Sequence, residues 1–173
     1  QLDRYVAKAM GFERVVPVTG QTYPRKIDWQ VMAVLSGIAQ SASKFANDVR
    51  LLQNRKEIEE PFGASQVGSS AMAYKRNPMR SERVCGIARF LIELAQNAAH
   101  TAAVQWFERT LDDSSNRRLS LAEGFLAADS LLNVVLDVAG GLVVHDRVIA
   151  HNVGLETPFM ATEPILMAAV EAG

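Results

Sequence analysis

The residues best equipped for chemistry lie between Gly68 and Pro78, in the run Gly68-Ser69-Ser70-Ala71-Met72-Ala73-Tyr74-Lys75-Arg76-Asn77-Pro78. A glycine followed by two small serines lets a backbone come close to a ligand. Lys75 and the start of the helix expected after Pro78 both favour negative charge. An anion could therefore sit in this segment. The plainer alternative is a surface turn in which the serines cap and Lys75 and Arg76 are solvated, and local chemistry alone leaves both open. A second constellation comprises Arg109, Ser114 and Arg118, with Arg83 less firmly attached. Guanidinium groups bind phosphate through paired donors, and Ser114 stands near an expected helix start with outward N–H groups. Its alternative is a wet helix face on which Arg117 and Arg118 pair with Asp112, Asp113 or Glu123. Trp106 and Phe107 are read as core anchors.

Helices must position these groups. Apolar residues at Val31, Leu35, Ile38, Ala42, Phe45, Val49 and Leu52 follow the three-to-four spacing of an amphipathic helix over 28–52, with Asp28 as its N-cap. Pro61 and Gly63 break the pattern and open a loop. A second helix is expected from Asn77 and Pro78 through Phe90 towards Ala99. A third is expected from Ser114 or Ser115 to a stop at Gly140 and Gly141. A short turn from His145 to Pro158 then leads into a last apolar stretch. No segment shows convincing strand alternation, so the expected class is all-α, a long-helix bundle.

Composition narrows the partners. A formal net charge of -1 offers no general attraction to nucleic acid or to an anionic membrane, so anion binding must come from local groups. With one cysteine, Cys85, no internal disulfide can form, and that thiol reads as inert core. No uninterrupted apolar run reaches the roughly 20 residues that span a bilayer. His100, His145 and His151 lack metal-ligand spacing, and no metal or cofactor is expected. A cytoplasmic protein is the simplest expectation. The chain opens on Gln1 and Leu2 as if already inside a helix, which reads as a fragment.

The loop from Gly68 to Pro78 resembles the signature loop of the fumarase and aspartase superfamily, Gly-Ser-Ser-x-Met-Pro-x-Lys-x-Asn-Pro. The likeness extends over Val18 to Tyr23, Ser69 to Arg83, Gln105 to Ser114 and Pro158 to Glu163, nearly the whole chain. It implies that residues 1–157 belong to the central helical-bundle domain and residues 158–173 begin a C-terminal helical domain. The activity it implies is anti β-elimination of fumarate from a succinyl-amino purine nucleotide, giving AMP, with a parallel reaction on the succinyl-carboxamide intermediate. A sister activity on argininosuccinate and a non-catalytic oligomerisation module are the alternatives. By resemblance Ser69 is the base and Lys75 and Asn77 grip the carboxylate as charge builds, although Asn77 could instead cap the following helix. Ser70 and Met72 are implied substrate contacts of the same loop. Gln21, Arg83, Arg109, Ser114 and Arg118 are implied to hold the nucleotide. The family's general-acid histidine matches none of the three here. The resemblance further implies a homotetramer whose active sites are shared between subunits. One position departs from the pattern: Ala73 stands where proline is usual, which should loosen the open loop by about 0.4–1 kcal/mol.

Overall fold

The computed structural model describes every residue of the chain except Ala64, Ser65 and Ala73. The elements in order are α1 (Leu2–Ala9), α2 (Lys26–Asn54), β1 (Ile58–Glu59), α3 (Met79–Ala103), α4 (Leu111–Gly140), β2 (Val143–Val144), α5 (Asp146–Met160) and α6 (Thr162–Ala172). Among the described residues the chain is all-α apart from one antiparallel pairing that sequence alternation did not announce, Ile58 opposite Val144 and Glu59 opposite Val143. Two residues per strand are too few for a period of two to register.

Two compact units divide the chain, Gln1–Ser41 with Ile87–Leu131 and Ala42–Gly86 with Leu132–Gly173. In the first, Met32, Leu35 and Ala39 of α2 are buried, as are Ala88, Leu91, Ala95 and Ala98 of α3 and Ala128 and Leu131 of α4. These spacings of three and four put one narrow stripe of each helix inside. Alanine is frequent among them, and a small residue is needed at Gly124 of α4. A Cβ on Gly124 would come within 2.6 Å of the Met32 side chain. The second unit buries Ala42, Ala46, Val49, Val84 and Val138, together with the polar Gln53, Glu60 and Ser81.

Several boundaries differ from expectation for identifiable reasons. Helix α2 starts at Lys26, where the Ile27 and Trp29 N–H groups bond the carbonyls of Pro24 and Arg25, so Asp28 lies inside the first turn and is not the cap. It ends in a left-handed residue, Lys56 at φ 59°, with Glu57 N–H returning to Leu52 O and Lys56 N–H to Gln53 O. The segment expected as a turn from His145 to Pro158 is instead helix α5. Pro158 removes one N–H donor only two residues before the helix ends, so it truncates little. By length and composition α4 could cross a membrane, at mean hydropathy 1.5 over an 18-residue window, although it carries Glu123 and Asp129.

Candidate functional site

The signature loop closes on itself in the second unit. Gly68 packs against the backbone of residues 75 and 76, where a Cβ would stand 2.2 Å from Lys75 O, so only glycine fits at the neck. Asn77 Nδ2 donates to Gly68 O at 2.9 Å and fastens the same neck. Within the loop the N–H groups of Ala71 and Met72 both donate to Ser69 Oγ, at 3.3 and 3.2 Å. Two donors aimed at one hydroxyl oxygen favour its alkoxide over an unassisted serine. Ser69 is half-buried, while Ser70, Met72 and Lys75 are exposed. Arg76 is not simply solvated, because it pairs with Glu59 at 3.0 Å and lies over the Phe62 ring. Lys75 and Asn77 line a cleft of about 640 Å³ with Arg50, Lys56 and Glu82.

Glu60, absent from the sequence reading, caps α3. Its buried carboxylate accepts from the backbone N–H groups of Arg80 and Ser81 and from Ser81 Oγ, all near 3.0 Å. That is a helix N-terminus satisfied by an anion from a distant turn. Asn77 is thereby released from the capping role, its side-chain amide serving the loop neck. No local signal could have found Glu60, since its partners lie 20 and 21 residues away.

The second constellation lies in the first unit, where residues 20–28 are stitched to residues 105–117. A Cβ on Gly20 would meet Phe107 O at 2.4 Å, and the Gln21 N–H donates to that same oxygen. Gln21 Oε1 accepts from the Arg109 N–H at 2.8 Å, which brings two predicted residues together. Arg25 N–H bonds Gln105 Oε1, and Gln105 Nε2 bonds Tyr23 O. Below them is an ionic cluster in which Arg25, Asp28 and Asp113 are buried while Arg117 and Tyr23 stay partly exposed. Arg25 Nε donates to both Asp113 oxygens at 3.1 and 2.8 Å. Arg117 donates to Asp28 at 2.5 Å and to the Tyr23 hydroxyl, which itself donates to Asp28 Oδ1. Burial, then the hydrogen bond to Asp28, raises the Tyr23 pKa above its usual value; the bond to Asp28 likewise raises that of Arg117. Arg117 thus does pair with Asp113, at 3.8 Å, but its main partner is Asp28. Arg109 and Arg118 are exposed, with no ion pair to either among the described residues.

Three placements depart from expectation. Helix α4 begins at Leu111, so Ser114 is already inside it, with its N–H on Thr110 O and its hydroxyl on Leu111 O. Trp106 and Phe107 are not core anchors but 77% and 92% exposed. Helix α3 ends at Ala103, and it is the Phe107 backbone that packs on Gly20, which leaves the ring outside. Arg83 is exposed on α3 in the second unit, apart in the chain's division from the other three. Cys85 is half-buried with Sγ 3.9 Å from Ser43 O. His145 Nε2 lies 3.5 Å from Glu59, and no metal-sized group of His, Cys, Asp and Glu occurs among the described residues. The departure at Ala73 lies outside the described residues.

A helical bundle with a serine-bearing, backbone-clamped loop defines a class, and comparison with known proteins identifies it. Residues 2–92 match the model of the lyase family, and the chain belongs to that family. It is similar to adenylosuccinate lyases: 57% identical over its full length to that of Schizosaccharomyces pombe, and 60% over 98% of the chain to that of Saccharomyces cerevisiae. The Schistosoma mansoni protein of the same name is 47% identical. The chain spans 36%, 35% and 36% of the length of these three relatives. Among solved structures, the 3-carboxy-cis,cis-muconate lactonizing enzyme of Pseudomonas putida matches 98% of this chain and 38% of its own at TM-score 0.79 and 22% identity. The fumarate lyase:delta crystallin of Brucella melitensis, bound to cobalt, matches 83% of this chain and 32% of its own at TM-score 0.63 and 21% identity. Both likenesses concern the fold.

Proposed function

We propose that the protein carrying this chain cleaves adenylosuccinate to AMP and fumarate, and performs the parallel elimination on the succinyl-carboxamide ribonucleotide of purine synthesis. The observation that carries the reading is Ser69 Oγ held by two backbone N–H groups, in a chain 57–60% identical to two adenylosuccinate lyases. Elimination requires a base for a weakly acidic C–H beside a carboxylate and positive charge for the dianion that follows. Ser69 as alkoxide takes the proton, while Lys75 and Asn77 stabilise the carboxylate as charge accumulates. The C–N bond then breaks, fumarate departs, and the leaving nitrogen receives a proton from an acid that none of His100, His145 and His151 matches.

In this reading Ser70, Met72 and Arg83 contact the substrate, and Gln21, Arg109, Ser114 and Arg118 hold the nucleotide, the exposed guanidiniums supplying phosphate donors. The protein works without a cofactor as a cytoplasmic homotetramer whose active sites are completed by neighbouring subunits. Residues 1–157 form part of its central bundle domain and 158–173 enter the C-terminal one. The exposed apolar residues Leu119, Phe125, Leu126, Leu132 and Leu136 of α4 support such assembly.

The test is fumarate release from adenylosuccinate by the full-length parent protein and by its Ser69→Ala variant. Loss of the base should lower kcat by roughly 10²–10⁴-fold while KM changes little. Undiminished turnover by the variant would remove Ser69 from the role.

A further inference from the structure

The first turns of α4 carry Ser114 and Arg118 on one helix face, four residues apart, yet apolar packing does not hold those turns. Leu111 and Leu119, which flank them, are 79% and 69% exposed. Buried there are Asp113 and Ser114, each 8% exposed, together with Arg25 at 2%, while Arg118 one turn on is exposed. Arg25 Nε reaches both oxygens of Asp113. Its backbone N–H is fixed by Gln105, which also grips Tyr23 O. On the next turn Arg117 is occupied by Asp28 and Tyr23. Of the four arginines in this cluster, two are therefore paired, Arg25 buried and Arg117 partly so, and two, Arg109 and Arg118, face outward. The rotation of α4 about its axis is set by charge-assisted bonds of defined direction, and that rotation decides which arginine faces out.

We infer that Asp113 and Arg25 are positioning residues for the anionic end of the ligand, a phosphate monoester, orienting the turn that presents the exposed Arg118 while their own pairing keeps Arg25 out of competition for it. This rests on the nucleotide reading given above. Asp113 touches no ligand in this account. It acts through the helix that it anchors and through the Gln21–Arg109 contact stitched to the same segment.

The experiment uses the full-length parent protein, with AMP and adenosine titrated calorimetrically into wild type, Asp113→Asn and the paired apolar replacement Arg25→Met with Asp113→Leu, and with Tm recorded for each. Asp113→Asn should weaken AMP about tenfold while adenosine changes less than about twofold, as expected when a charge-assisted contact is misaligned. The apolar pair should recover the wild-type Tm, because replacing a buried ion pair with packed side chains is commonly neutral, but should keep the weakened AMP binding. Equal losses for AMP and adenosine, or recovery of AMP affinity together with Tm, would make the pair a structural filler and overturn the inference. If Asp113→Asn does not fold, the apolar pair decides alone: weak AMP binding at wild-type Tm supports positioning, and wild-type binding refutes it. Wild-type protein that prefers AMP to adenosine yet releases no fumarate from adenylosuccinate would sink the proposed activity and leave the positioning role standing. Wild type that does not distinguish AMP from adenosine would sink the inference.

Discussion

The loop at residues 68–77 and the cluster joining residues 20–28 to 105–117 both begin with a glycine pressed against a carbonyl, and they are held in opposite ways. The loop closes locally: its neck bond spans nine residues, and its serine is served by N–H groups two and three positions on. The cluster is tied by bonds that span 80 to 94 residues and by the buried charges of Arg25, Asp28 and Asp113. Closing a short loop demands little chain entropy, and opening one exposes little buried surface. The ionic cluster has the reverse character. Breaking one member leaves another charged and dry, so its failure should be felt by the whole unit. A catalytic loop gains from the first arrangement and a ligand-orienting frame from the second.

The comparison is broken most severely at Asp113. Asp113→Ala leaves Arg25 buried without its counter-ion and should destabilise the protein by about 3–5 kcal/mol, measured by urea unfolding. A loss below about 1 kcal/mol would mean that water reaches Arg25 and that the cluster is no frame at all.

The paired glycines sharpen the contrast. Gly20→Ala and Gly68→Ala each drive a Cβ into a backbone oxygen, at 2.4 and 2.2 Å, a crowding worth about 1–3 kcal/mol. At Gly20 the strain should appear as a lower unfolding midpoint. At Gly68 it should appear as faster amide exchange of Lys75 N–H with the midpoint almost unmoved, because the neck can open locally. Identical responses at the two sites would erase the distinction.

Titration probes the cluster in another way. The Tyr23 pKa is raised by burial and then by Asp28. The hydroxyl's contribution is therefore complete below the ordinary tyrosine value of about 10 and is lost as pH rises through the higher folded value. Stability should fall at alkaline pH by about 0.5 kcal/mol more in wild type than in Tyr23→Phe, the low end of one hydrogen bond because Tyr23 is 38% exposed and water screens it. Parallel pH profiles would show that the Tyr23–Asp28 bond contributes nothing. Glu57 gives the opposite sign: its pKa is lowered by the Arg55 hydrogen bond and then by Asn152, so its contribution is lost as pH falls.

The smallest effect is expected at Lys56, where a non-glycine residue occupies the left-handed position that ends α2. Lys56→Gly removes the steric penalty but adds chain entropy to the unfolded state, for a net gain of about 0.5 kcal/mol visible as a raised Tm. A lowered Tm would show that the Lys56 side chain contributes more to the cleft beside Lys75 than its backbone strain subtracts.

Sequence periodicity alone determined the three long helices and the all-α class, because side chains at spacings of three and four must face one core whatever covers the other side. The loop was legible for a similar reason. Glycine, serines, lysine, asparagine and proline act through neighbours a few residues away, and their order carries the chemistry. Only the tertiary structure decided that Asp28 is an ionic partner of Arg117 and not a helix cap, that Glu60 caps α3 in place of Asn77, and that Trp106 and Phe107 face outward. It also decided which of the adjacent Arg117 and Arg118 is occupied. Each of these is a choice among partners 20 to 94 residues away. A charged or aromatic side chain has the same local propensity whichever partner it finds, so the outcome depends on which helix faces are packed together.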